Sequence, residues 1–184
     1  KYLRRIDASQ IYSNFGPLVE ELESRLARHF DVPRSTVASA SSATLALEGA
    51  IATSNSSFTR TIPLPSWTFT ATAAAVARSR CVGHFCDVNM DGEVDLPVNH
   101  GLAIRTLPFG LGLPIQTPES SSPLIVDAAA SFDALSHIHF PERRPEIAVI
   151  SLHATKCLPA GEGAVLVSND PDWIQRFRRW TNFG

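Results

Sequence analysis

Apolar positions fall into helix-spaced stretches and short unbroken runs. Val19, Leu22, Leu26 and Phe30 recur at helical spacing, with Glu20, Glu21, Glu23, Arg25 and Arg28 on the other face. Pro17 suits a first helical turn, so the pattern predicts a helix over residues 16–30 that Asp31-Val32-Pro33 ends. Ser35 to Ser39 is a short β-branched stretch, and Ser41-Ser42-Ala43-Thr44 opens a second helix running to about Thr53. Thr61 to Pro65 reads as a strand leaving through prolines, Thr68 to Ala77 as an alanine-rich helix, and Cys81 to Asp87 as a short strand ending in an acid. Residues 88–123 are rich in Gly, Pro, Ser and Asn, with one strand candidate at Leu102–Leu107. Leu124–Val126, Ile147–Ser151 and Ala164–Val167 do not alternate, which suits strands covered on both faces. Trp173, Ile174, Phe177 and Trp180 give Asp172–Trp180 helical spacing. This order predicts a layered α/β domain with a mostly parallel central sheet, without an internal repeat or a clear internal boundary.

Composition narrows the class. The chain has 184 residues, 44% hydrophobic and 18% charged, enough for one domain with a real core. A net charge of −2 offers no footprint for nucleic acid or an anionic membrane. No apolar run approaches the roughly 18 residues that span a bilayer, and the basic start Lys1–Asp7 lacks the apolar core of a secretory signal. Cys81, Cys86 and Cys157 are odd in number and lack CxxC spacing, which fits a reducing cytoplasm; Cys157 reads as a small buried filler. The tight pair His137-Ile138-His139 lacks Cys or acid partners at ligand spacing, so no metal site is expected.

Three points carry candidate chemistry. Lys156 follows a buried run and sits between Ser151, His153 and Thr155 on one side and Gly161-Glu162-Gly163 on the other. A lysine desolvated in such a place offers its amine for carbonyl chemistry. Asp127 ends another buried run, at the usual ligand edge of an open α/β sheet; the alternative is a cap for Ala128-Ala129-Ala130. Ala43, Thr44 and Ser151 offer backbone N–H and hydroxyl groups to an anion, where an ordinary N-cap is the alternative. Trp67 and Phe69 could stack on a flat ring or lie in the core. A lysine amine, a carboxylate and a phosphate-binding helix start are what pyridoxal 5′-phosphate (PLP) requires.

Taken in order, these segments resemble the DegT/DnrJ/EryC1/StrS sugar aminotransferases, members of the fold-type I PLP enzymes. The resemblance runs from about Asn14 to Gly184. It rests on Asn14-Phe15-Gly16-Pro17, Ser41-Ser42-Ala43-Thr44 with Leu45-Ala46-Leu47, Pro65-Ser66-Trp67-Thr68-Phe69 with Ala71-Thr72, Val82 to Asp87, Val126-Asp127-Ala128-Ala129, Ser151-Leu152-His153-Ala154-Thr155-Lys156, Gly161-Glu162-Gly163 with Ser168-Asn169-Asp170, and Asn182-Phe183-Gly184.

It implies the three-layer large domain of the aspartate aminotransferase type over residues 1–184, incomplete, with a C-terminal small domain absent. It implies PLP as an internal aldimine on Lys156, which also moves the proton during amino transfer. Asp127 would face the pyridinium nitrogen, Phe69 would lie over the ring, and Ala43, Thr44 and Ser151 would hold the phosphate. An amino-acid donor, usually glutamate, would pass its amino group to a keto group on a nucleotide-linked sugar. The resemblance also implies a cytoplasmic homodimer with a shared active site.

The sequence departs from the family pattern at several places. Ala130 stands where a glutamine is usual and offers the cofactor only packing. Ser56–Arg60 replaces an acidic turn, residues 87–124 match poorly, and the family continues beyond the length of this chain. The alternatives are therefore a degenerate or truncated homologue that keeps the fold or binds PLP without catalysis, and a different PLP reaction such as a lyase or a desulfurase.

Overall fold

The computed structural model describes residues 1–55, 60–97, 101–110, 120–133, 140, 142 and 144–182. The elements follow the order α1 (Tyr2–Ser9), α2 (Pro17–His29), β1 (Val37–Ala40), α3 (Ala43–Thr53), β2 (Thr61–Pro65), α4 (Thr70–Arg78), β3 (Val82–Cys86), β4 (Ala103–Thr106), β5 (Leu124–Asp127), β6 (Glu146–Ser151), β7 (Ala164–Ser168) and α5 (Pro171–Thr181).

Five strands form a sheet in the order β1-β7-β6-β5-β4, and β2 and β3 form a parallel pair with β2 lying beside β4. The sheet is mostly parallel, as expected, with a single strand reversed. β4, β5 and β6 run parallel, but β7 is antiparallel to both β6 and β1, so the sheet is mixed. The reason is the connection: only twelve residues separate Ser151 from Ala164. Backbone bonds close that link on itself, Leu152 N–H to Gly163 O (2.9 Å) and Ala154 N–H to Gly161 O (2.8 Å). A parallel return needs a crossover that spans the sheet, usually a helix, and this link, paired on itself, holds none.

The unbroken apolar runs are buried on both faces, as such runs require. Ile104, Ile125, Ile147, Val149 and Leu166 face one layer, built from Ala46, Leu47 and Ala50 of α3, Ala75 and Val76 of α4, and Trp173, Ile174 and Phe177 of α5. Ala103, Leu124, Val126, Ala148, Ile150 and Val165 face the other, against Leu26, Ala27 and Phe30 of α2. α3 is sandwiched between α4, α5 and the sheet, and Gly49 is what permits the fit. A Cβ there would stand 2.4 Å from a ring carbon of Phe177. α5 also closes the end of α3: Trp173 Nε1–H donates to Ala50 O (3.1 Å) and Arg176 Nε–H to Thr53 O (2.8 Å), meeting carbonyls that a helix end leaves unpaired.

One buried charge ties three elements together. Glu23, fully buried in α2, pairs with Arg34 and Arg178 and accepts from Ser39 N–H (2.7 Å) and Ser39 Oγ (2.9 Å). A buried carboxylate with this many donors is fully compensated, and removing one partner is costly. The Asn14 side-chain amide donates to Asn182 Oδ1 (3.0 Å) on the same side.

Candidate active site

Three parallel strands end side by side, and each delivers a polar residue to the same edge. Thr106 of β4 is in register with Asp127 of β5, and Ser151 closes β6 next to them. These residues, the start of α3, and the loop carrying Lys156 line one cavity of about 570 Å³. It holds every residue that the sequence proposed for cofactor contact: Ala43, Thr44, Phe69, Asp127, Ala130, Ser151 and Lys156.

Asp127 is 4% exposed. Its Oδ2 accepts from Thr72 Oγ1 (2.6 Å) and its Oδ1 from Ala129 N–H (3.1 Å). The capping alternative is thus half right: one oxygen caps the turn that follows, and the carboxylate still lines the cavity. Burial pushes the Asp127 carboxyl up from the usual range. The Thr72 bond, the Ala129 N–H and the charge of Lys156 pull the other way without cancelling it. A carboxylate desolvated in this way favours a cationic N–H partner in the cavity.

The anion end lies at α3. Ser42 is its N-cap, accepting from Leu45 N–H (3.3 Å). The N–H groups of Ala43 and Thr44 are the first of the helix, where no intrahelical acceptor exists and the helix dipole favours negative charge. Ser151, 5% exposed, accepts from His153 N–H at 3.2 Å.

Lys156 is half-buried on the β6–β7 loop, its N–H bonded to His153 O (2.9 Å). Gly161 (φ 95°) and Gly163 (φ 139°) take backbone conformations that the loop's return needs and that side chains resist. Thr155 N–H donates to His153 Nδ1 (3.2 Å), which leaves Nε2 to carry the proton toward Glu162 Oε1 at 3.5 Å. The Lys156 Nζ lies 5.4 Å from the Phe69 ring centre. Phe69 is 70% exposed and Trp67 50%, so neither is core. Trp67 instead meets Phe109 at 5.4 Å on the cavity wall.

Cys157 corrects an expectation. It is exposed, not a buried filler, with Sγ donating to Ala130 O at 3.0 Å. The loop turns at Lys156 and carries the next side chain outward. His137 and His139, most of the replaced acidic turn, and Phe183-Gly184 lie outside the described residues. Among the described residues no cluster of three or more His, Cys, Asp or Glu could hold a metal ion, and no helix is long and apolar enough to cross a membrane. Sequence reasoning missed the roles of Thr68, Thr72 and Thr106. The available signal was a pair of threonines four apart, opening an alanine-rich helix beside the proposed aromatic segment.

The sequence pattern of the DegT/DnrJ/EryC1/StrS aminotransferase family matches residues 1–96. The chain belongs to this family. A relative, Protein Rv3402c of Mycobacterium tuberculosis, is 31% identical over 198 aligned residues that cover 94% of this chain and 47% of the relative. The solved structure of DesI in the presence of its TDP-sugar product is 29% identical with a TM-score of 0.77, covering 99% of this chain and 49% of that one. A protein from Bacillus cereus ATCC 10987, assigned as a PLP-dependent aminotransferase, is 26% identical with a TM-score of 0.80, covering 99% and 54%. The chain therefore spans about half the length of the family members it matches.

Proposed function

We propose that this chain supplies the cofactor-binding half of a PLP-dependent aminotransferase acting on a nucleotide-linked keto sugar, with an amino acid such as glutamate as donor. One observation carries the reading. A lysine amine, a buried carboxylate in need of a cation, and the open start of a helix line a single cavity. Family membership and the TDP-sugar product of DesI support the substrate class.

The residues fit the cofactor. PLP supplies a carbonyl for amine exchange and a ring that withdraws electrons from the substrate carbon. Asp127 would hold the ring nitrogen protonated. The Ala43 and Thr44 N–H groups and the Ser151 hydroxyl would hold the phosphate, and Phe69 would cover a ring face and exclude water. Lys156, released from the cofactor, would carry the proton at the reacting carbon, the role of a general base held within reach. Ala130 gives that wall a methyl group and no hydrogen bond. The partner subunit that the reading implies would complete the site.

The donor half-reaction tests the proposal. With PLP and L-glutamate, the chain is expected to release 2-oxoglutarate in amounts up to one per site, and Lys156→Ala to release none. PLP bound through Lys156 with no keto acid released from any amino acid would instead favour a homologue that keeps the cofactor without catalysis, for which Ala130 speaks.

A further inference from the structure

Behind Asp127 runs a line of threonine hydroxyls. Thr72 Oγ1 lies 2.6 Å from Asp127 Oδ2, Thr68 Oγ1 lies 2.8 Å from Thr72 Oγ1, and Thr106 Oγ1 lies 2.9 Å from Thr68 Oγ1. Three elements contribute: the segment before α4, α4 itself and the end of β4. Thr72 is fully buried, whereas Thr68 and Thr106 are half-buried and line the cavity.

The direction of the line follows from counting hydrogens. An ionised carboxylate only accepts, and each hydroxyl has one proton to give. Thr72 therefore donates to Asp127 and accepts from Thr68; Thr68, having spent its proton, accepts from Thr106. All three dipoles point at the carboxylate, and hydrogen bonds in series polarise one another in a low-dielectric setting.

We infer that Thr72, with Thr68 and Thr106 behind it, is the positioning group that keeps Asp127 ionised and aims its free lone pairs into the cavity. The inference rests on the cofactor reading for its purpose, and on the hydroxyl geometry for its existence. Ala129 N–H fixes the other oxygen, so the carboxylate is held at both ends while the cavity side stays free for a cation. The other charged or titratable groups lining the cavity are Lys156, His153 and Glu162. None of them hydrogen-bonds Thr72 among the described residues.

The test follows Asp127 in the cofactor-free chain by carboxyl carbon NMR, with Asp127→Asn to assign the signal. Thr72→Val is expected to move the titration midpoint up by about one to two units, since the charged form loses a hydrogen bond. Thr72→Ser should stay near the native midpoint. Thr68→Val, a change at a half-buried residue that leaves the Thr72–Asp127 bond in place, should move it up by less. PLP binding, read by fluorescence, should weaken about tenfold in Thr72→Val and recover in Thr72→Ser. Folded valine variants that titrate as the native chain does would overturn the inference; should Thr72→Val fail to fold, Thr68→Val decides alone. A native chain that ignores PLP would sink the cofactor reading, while the titration would still decide the hydroxyl line.

Discussion

Asp127 carries a conflict that makes a measurable prediction. It is a carboxylate with two hydrogen-bond donors and almost no water, and burial holds its pKa above the unfolded value. A raised folded pKa contributes stability that is fully present below the unfolded pKa, roughly 3.9 for Asp. That stability is lost as pH rises through the folded pKa. In the cofactor-free chain, Asp127→Asn is therefore expected to melt at or above the native temperature near pH 7–8. The difference should shrink as pH falls toward 4, followed by thermal denaturation across that range. The same variant should lose PLP affinity, because the neutral amide no longer answers a ring cation. Matching melting curves at every pH would show that the carboxylate bears no burial penalty. Asp127, Ser151, Ala43 and Thr44 were legible in the sequence because each sits at the end or start of a regular element, and Lys156 because it lies between a buried run and a glycine turn. Thr72 was harder to read, because the four-residue spacing of Thr68 and Thr72 does not say what the buried hydroxyl faces.

At the scale of elements, α3 decides the geometry, since its start is the anion end of the cavity and its body is the centre of one core. Its apolar residues point all round, the mark of a helix buried over most of its surface, and within it only Ala52 is exposed. Gly49 is the tightest point of that packing. Replacing a helical glycine by alanine usually gains about 1 kcal/mol. Here the new Cβ would drive Phe177 and Trp180 from their places, an overpacking cost of about 1–3 kcal/mol. Gly49→Ala is expected to lower the melting temperature by a few degrees in calorimetry; an unchanged or higher value would mean that α5 yields freely.

The same elements show what patterning can and cannot deliver. Short unbroken apolar runs placed β5, β6 and β7 within a residue or two, and helical spacing placed α2 and α5. The direction of β7 was hidden because a run buried on both faces reads the same either way. α1 was missed because it is short and buries no residue, so Tyr2, Leu3 and Ile6 repeat too briefly to stand out; Arg5 holds it to α2 through Glu21.

For the whole molecule, the layers bring the ends of β4, β5 and β6, the start of α3 and the β6–β7 loop to one edge. No one segment holds the site. Its residues run from Ser42 to Glu162, and only the sheet order makes them neighbours. Membership of the family follows from half the chain's length of matched sequence, and the cavity shows that the chemistry-bearing positions have come together. The measurement that bears most directly on this account is cofactor trapping. The chain is mixed with PLP, reduced with borohydride, digested and analysed by mass spectrometry, alongside Lys156→Ala. The account predicts a visible absorption band before reduction and a single phosphopyridoxyl label on Lys156, both absent from the variant. A folded chain that takes no label, or carries it on Lys1 alone, would contradict it.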